Sequence, residues 1–367
     1  MKPIVITAGG TGGHIFPAEA LAKELLERNC PLVFITDKRG KHFSGPLSNL
    51  PTYFVSAQAM TGKKVLFKIM SVFKLLWGIS QSLYFLLKVQ PKLLVGFGGY
   101  ASIPATLAAQ FLHIPVILHE QNAVLGRANR LLSWKVNTIA TSFMPTERLP
   151  KHTTVVETGM PTRPAVLQLQ DSTYTPPARL FNLLIMGGSQ GARVFSSVIP
   201  EALKALPPKL KSRLVITQQV RAEDMEKVQK AYEGESFHKV DLQSFFTDMP
   251  ERIAKSHLVI SRSGSSSLAE LAIIGRPSIL VPLPIAADDH QTRNAQCFAD
   301  KNAAWLMVEK DFTAQSLALR LEELMDQPAL LKRVAEAAHK LGQPQAAQKL
   351  ADIVLKQKET RQKPKND

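Results

Sequence analysis

Two glycine-rich runs each separate an apolar stretch from a helical pattern: GGTGG at 9–13, which leads into His14, and GGSQG at 187–191. A strand that turns on glycines into a helix presents unpaired backbone N–H groups and the positive end of the helix dipole, and both attract an anion. A nucleotide is the default occupant. The dinucleotide fingerprint G-x-G-x-x-G, started at Gly10 and Gly12, meets Ile15 where its third glycine belongs. Asp37, closing PLVFITD, can still bind a ribose and keeps a nicotinamide reading open. The phosphate loop ending in Gly-Lys-Ser/Thr is absent; TGKK at 61–64 comes nearest, with Ala57 at its first glycine position. His14 is the side chain beside the first turn whose ordinary pKa suits a general base at neutral pH, and Glu120 in HEQN (119–122) is a second candidate. RSGSSSLAE (262–270) sets small hydroxyls before an apolar helix and then a carboxylate. Glu270 can accept two ribose hydroxyls, while Ser265, Ser266 and Ser267 can lie against a diphosphate. DDHQTRNA (288–295) brings His290, Gln291 and Asn294 to a helix start, an imidazole and two amides suited to sugar hydroxyls.

These residues need a scaffold of alternating strands and helices. Short β-branched runs recur between helical patterns, which is the signature of βα units and a parallel sheet. Strands are expected near 3–8, 31–36, 92–96, 115–119 and 137–141, and again at LFNLLIM and near 213–217, 257–260 and 277–281. Between the two series, LQLQDSTYTPPARL (167–180) reads as a linker. The return of strand, glycine turn and helix half a chain later implies two similar α/β domains facing a cleft. The last residues, KQKETRQKPKND, are polar and are expected to be disordered from 358.

Composition narrows the classes. A chain of 367 residues can bury two cores, and two cysteines, Cys30 and Cys297, exclude a disulfide framework or a cysteine metal site. No secretory signal is visible, because the N-terminus enters a strand at once. The net charge of +15 is uneven: residues 1–163 carry 18 Lys and Arg against 7 Asp and Glu, and no acid falls between Asp37 and Glu120. Such a field suits an anionic partner. Nucleic acid is not expected, since no helix-turn-helix, RNA-binding aromatic motif or zinc spacing is present.

Six motifs in order, GGTGGHIFPA (9–18), GFGGYASIP (96–104), HEQN, GGSQGAR (187–193), SRSGSSSLAE (261–270) and DHQTRNA (289–295), resemble the MurG family of glycosyltransferases. The likeness runs from about residue 3 to about 340. It implies an α/β GT-B fold of two Rossmann-like parallel-sheet domains: 1–163, which binds the acceptor and associates with the membrane, and 164–340, which binds UDP-GlcNAc. A C-terminal helix over about 341–357 is expected to cross back to the first. The implied reaction is inverting transfer of N-acetylglucosamine from UDP-GlcNAc to the muramoyl 4-hydroxyl of undecaprenyl-pyrophosphoryl-MurNAc-pentapeptide (lipid I), giving lipid II; a related glycosyltransferase with another lipid acceptor is the alternative. Backbone amides and helix dipoles can stabilise the leaving diphosphate, so no cofactor and no metal are expected. Ser189 can add a hydroxyl and Arg163 a guanidinium. The resemblance further assigns donor binding to Thr11, Gly12, Gly13, Asn122, Phe246, Leu268 and Ala269, and makes Glu270 the ribose ligand and Phe246 a uracil contact. His14 is then either the base or a ligand of the acceptor diphosphate. Other proteins of cell-wall synthesis are implied partners.

GKKVLFKIMSVFKLLWGISQSLYFLLKVQPK (62–92) carries six lysines and no acid in an apolar setting. Its longest uncharged run, Leu75 to Leu87, is shorter than the ~20 residues that span a bilayer. Two readings stay open, a buried helix of the first domain and an interfacial helix. The lysines would meet anionic lipid, and Phe73 and Trp77 the headgroup boundary. On the second reading the protein is peripheral on the cytoplasmic face of the inner membrane.

Overall fold

The apolar runs become the inner strands of two parallel sheets, as expected where helices cover both faces of a strand. The computed structural model describes residues 2–9, 12–38, 45–57, 65–188 and 191–359, apart from the side chains of 65–69 and 358–359. The chain divides into two units, Met1–Arg163 with Gln345–Asp367, and Pro164–Pro344.

The first unit runs β1 (Ile4–Thr7), α1 (Gly12–Glu27), β2 (Leu32–Thr36), β3 (Thr52–Phe54), α2 (Val65–Val89) and β4 (Leu93–Gly96). It continues through α3 (Ser102–Phe111), β5 (Val116–Glu120), α4 (Arg127–Leu132), β6 (Thr138–Thr141) and β7 (Thr154–Glu157). Its strands are ordered β3-β2-β1-β4-β5-β6-β7. The winding reverses between β1 and β4, which pair in parallel from Ile4 with Leu93 to Thr7 with Gly96. Ligands of open α/β sheets bind beyond the carboxyl ends of the strands at such a reversal.

The second unit runs α5 (Pro164–Leu167), β8 (Phe181–Met186), α6 (Arg193–Lys204), α7 (Pro208–Lys211), β9 (Leu214–Gln219), α8 (Met225–Tyr232) and β10 (Lys239–Gln243). There follow α9 (Met249–Lys255), β11 (Leu258–Ser261), α10 (Ser265–Ile274), β12 (Ser278–Leu280), α11 (His290–Ala299), β13 (Trp305–Leu306), α12 (Ala314–Met325) and α13 (Pro328–Lys340). The order β10-β9-β8-β11-β12-β13 puts its reversal between β8 and β11. The stretch 167–180 belongs to this unit and is not a free linker. Tyr174 is buried, its hydroxyl donates to His257 O at 2.9 Å, and the Arg276 guanidinium lies 5.6 Å from its ring centre. One aromatic anchor holds a stretch whose polarity suggested solvent.

The last helix, α14 (Ala346–Glu359), returns to the first unit, where Leu350, Ala351 and Val354 join the core that contains Leu21 and Leu25 of α1. Burial of side chains the size of Leu350 and Val354 stabilises by about 1.5–3 kcal/mol each. Residues 360–367 lie outside the described residues, as does most of the tail expected from 358.

α2 is two-faced. Ser71, Gly78, Ser82 and Leu86 are buried, and a Cβ on Gly78 would stand 2.0 Å from Ser56 O, so only glycine permits this close packing. Phe73 is 68% exposed and Trp77 62%, with Met70, Leu76, Tyr84 and Leu87 also exposed. Small residues on the packed side thus leave the large apolar ones outside.

Candidate functional site

Each unit carries a candidate site beyond the carboxyl ends of its inner strands. In the first unit, the loop after β1 and the loop after β4 touch: Gly9 N–H donates to Gly98 O at 3.1 Å. Gly98 and Gly99 both have φ of +75°, and a Cβ on Gly99 would meet Gly9 Cα at 3.0 Å and His14 Cδ2 at 3.1 Å. The glycines therefore make the floor on which the His14 ring rests. GFGGY, which carried part of the resemblance but no assigned chemistry, gains a function from this contact.

His14, in the first turn of α1, is half-buried, and its Nδ1 lies 3.2 Å from Gln121 Oε1. Gln121 Nε2 donates to Phe97 O at 2.9 Å and lies 3.1 Å from His119 O and 3.2 Å from His119 Nδ1. His119 Nε2 donates in turn to Gly159 O at 3.2 Å. Burial pushes the His119 imidazole down to about 4, the Gly159 bond opposes that shift, and the charge of His14 adds to it. His119 is neutral over the working range.

Glu120 is buried and surrounded by donors. Its Oε1 accepts from Asn122 N at 3.0 Å and Asn122 Nδ2 at 3.2 Å, and its Oε2 from Gly126 N at 2.9 Å and Asn129 Nδ2 at 2.8 Å. Four N–H donors fill the main acceptor sites of a carboxylate. This geometry makes Glu120 the brace of the loop after β5, with Asn122 among the groups it holds. Arg163 lies over the Phe16 ring of α1 at 5.4 Å. Gly12 and Gly13 open α1, and among the described residues no atom stands within 4 Å of a Cβ built on Gly13. Asp37 is buried at the end of β2. Thr11 and Ser189 lie outside the described residues, as do Lys63 and Lys64.

In the second unit the loop after β11 meets the start of α11. Ser263 Oγ donates to Gln291 O at 2.8 Å, and the buried Asn294 donates through Nδ2 to Ser263 O at 3.1 Å. Gln291 Oε1 accepts from Leu283 N at 3.0 Å, and His290 Nδ1 lies 2.7 Å from Ala287 O. RSGSSS and DDHQTRNA are thereby joined into one wall. Gly264 caps α10 and, as glycine, brings no side chain to the first helix N–H groups, which lie beside Ser265, Ser266 and Ser267. Ser266 Oγ is buried with no hydrogen-bond partner among the described residues. Glu270 and Ala269 are half-buried one turn on, and Leu268 is fully buried as a core residue. Phe246 is buried with the Arg252 guanidinium 4.1 Å from its ring centre, whereas Phe245 is 70% exposed. Arg262 was missed in the sequence. Its buried guanidinium donates to Val281 O at 3.1 Å and Pro282 O at 2.9 Å and pairs with Glu309 at 2.5 Å, tying the loop after β11 to that after β12. Among the described residues, no three His, Cys, Asp or Glu side chains cluster as metal ligands would.

Residues 4–141 match the glycosyltransferase family 28 N-terminal domain, and residues 182–354 match the family's C-terminal domain. The chain belongs to glycosyltransferase family 28. A protein of Paramagnetospirillum magneticum named UDP-N-acetylglucosamine--N-acetylmuramyl-(pentapeptide) pyrophosphoryl-undecaprenol N-acetylglucosamine transferase is 49% identical over 362 residues, 96% of each chain. A Rhodospirillum rubrum protein of the same name is 49% identical over 353 residues, 96% of this chain and 91% of its own. The crystal structure of Acinetobacter baumannii MurG, 30% identical, superposes with a TM-score of 0.77 over 96% of this chain and 99% of its own. The family placement and the two Rossmann-like domains read from the six motifs are borne out.

Proposed function

We propose that this family 28 enzyme transfers N-acetylglucosamine from UDP-GlcNAc to the muramoyl 4-hydroxyl of lipid I with inversion, giving lipid II. The names of its relatives support the substrates. The observation that carries the chemistry is the glycine-capped N-terminus of α10, with its serine hydroxyls and the unpartnered Ser266 Oγ. Backbone N–H groups fixed there can take up charge on the departing diphosphate, and pre-aimed dipoles of this kind need no reorganisation during the reaction. Glu270 accepts the ribose hydroxyls, and the wall of His290, Gln291 and Asn294 orients the sugar. His14 accepts the proton of the attacking hydroxyl as its oxygen bonds to the anomeric carbon, and the electron pair of the broken bond leaves with UDP. Incubating the protein with UDP-GlcNAc and lipid I should release UDP and form lipid II. If UDP-GlcNAc turns over only with another lipid acceptor, the proposed acceptor is wrong.

The same reading places the enzyme on the cytoplasmic face of the inner membrane. The exposed face of α2 supports this, together with Phe111, Leu131 and Trp134 on neighbouring segments, which are 60%, 53% and 58% exposed. Met70–Val89 is long and apolar enough to cross a bilayer by length and composition, but its other face packs on α3. A helix docked on one side and apolar on the other suits the interface, where each basic side chain adds about 1 kcal/mol toward anionic lipid. Cell-wall enzymes acting on the same lipid are the protein partners this location favours. Phe73→Ser with Trp77→Ser should abolish flotation with anionic liposomes while turnover of a short-chain, water-soluble acceptor persists. Flotation equal to the parent's would remove α2 as the anchor.

A further inference from the structure

We propose that Gln121 is the positioning residue of His14: its amide oxygen holds the imidazole in the Nδ1–H tautomer, so that Nε2 is the proton-accepting atom. The inference rests on the reading of His14 as the base. It follows from which groups can donate. Phe97 O and His119 O can only accept, so the Gln121 NH2 group must face them, at 2.9 and 3.1 Å. Oε1 then faces His14 Nδ1 at 3.2 Å, and as an acceptor it requires a proton there. The opposite end of the network agrees. His119 Nε2 must donate to Gly159 O, which leaves Nδ1 as an acceptor 3.2 Å from Gln121 Nε2. A protonated His119 would turn a donor toward that NH2 group, and its full burial opposes protonation. Each partner fixes the next, from the Gly159 carbonyl to the His14 ring, while Gly9 and Gly99 hold the Cδ2 edge of that ring.

Imidazole in water favours the opposite tautomer, so an unassisted His14 would mostly present a proton where the reaction needs a lone pair. When His14 takes up the acceptor proton, its bond to Oε1 becomes charge-assisted and strengthens. Gln121 thus favours the transition state over the ground state without touching substrate.

The test pairs NMR with kinetics on the full chain. In the parent, with His14 assigned by comparison with His14→Ala, the imidazole nitrogen shifts should read protonated at Nδ1 and unprotonated at Nε2. A protonated Nε2 in the neutral parent overturns the proposal whatever any variant does. Gln121→Leu should shift this balance and lower kcat about 10- to 10,000-fold, from the loss seen when a partner that orients an imidazole is removed to that seen when the wrong tautomer is imposed, with KM for UDP-GlcNAc changed less than about threefold. In a His14→Ala background the same substitution should cost little further. If His14→Ala removes activity but Gln121→Leu keeps kcat within about threefold, Gln121 is not the positioning residue. If His14→Ala itself retains turnover within about fivefold, the reading of His14 as base fails instead, with the tautomer still on record from the spectrum.

Discussion

His119 should make the stability of the first unit depend on pH in a calculable way. Folding moves its imidazole from an ordinary 6.5 to about 4, because burial penalises the charged form. The unfolded chain therefore binds more protons than the native one between these values, so stability is complete above 6.5 and declines as the pH falls toward 4. The full difference corresponds to about 3 kcal/mol, of which about 2 kcal/mol is lost between pH 7.5 and pH 5. His119→Gln removes this titration. Denaturant unfolding of parent and variant, followed by fluorescence, should show the parent losing about 2 kcal/mol relative to the variant over that interval, since the other titrating groups cancel in the difference. The parent's His119 ring should also show no NMR titration above about pH 5. A stability difference constant within about 0.5 kcal/mol would mean that His119 is not held neutral, and the donor assignments around Gln121 would fall with it.

Three further outcomes follow from the two sites. Glu270→Ala should weaken UDP-GlcNAc binding by about 1.5–3 kcal/mol, the scale of a hydrogen bond to a charged group, with the melting temperature little changed; unaltered donor affinity in calorimetry would rule Glu270 out as the ribose ligand. His14→Ala should lower turnover about 100- to 10,000-fold, affect donor affinity far less, and remove the acidic limb of the pH-rate profile; a retained limb would point to another base. Gly99→Ala should strain a φ of +75° and push a methyl against His14 Cδ2, lowering kcat while sparing KM for UDP-GlcNAc; parental kcat in a folded variant would show that the glycine floor does not position the ring.

The sequence was legible where burial was complete. Every inner strand was visible because it carries a run of mostly apolar, β-branched residues, as in Ile4–Thr7 and Leu258–Ser261. The four strands not anticipated, β3, β7, β10 and β13, are the four sheet edges. All are partly exposed and the last has two residues, so nothing in their composition sets them apart from loops. The candidate site's motifs were visible for the same kind of reason, since glycine turns and serine-rich helix starts are local patterns. What stayed hidden was pairing across the fold. Gln121 meets His14 from 107 residues away. The one available hint was spacing, since His119 and Gln121, two apart at the end of β5, fall on one side of a strand. The surroundings of Glu120 were hidden in the same way. A carboxylate among polar neighbours resembles a free base until its four donors are seen.

On the proposed mechanism the two sites divide two kinds of chemistry between them. In each, a helix begins just after a glycine and beside a second loop: α1 beside the loop after β4, and α10 beside the start of α11. The residue after the glycine differs, His14 after Gly13 in one and Ser265 after Gly264 in the other. A leaving diphosphate needs charge stabilisation, which fixed N–H groups and hydroxyls provide without exchanging a proton. An attacking hydroxyl must lose a proton, and no array of dipoles can accept one, so that half of the reaction needs a titratable side chain in a defined tautomer. Among the described residues, the buried polar network behind His14 has no counterpart built on paired histidines behind α10, where Arg262 and Asn294 brace backbone carbonyls instead. The difference in bracing follows from the difference in work: the second site has only to hold its dipoles still, whereas the first must also fix on which nitrogen a proton sits.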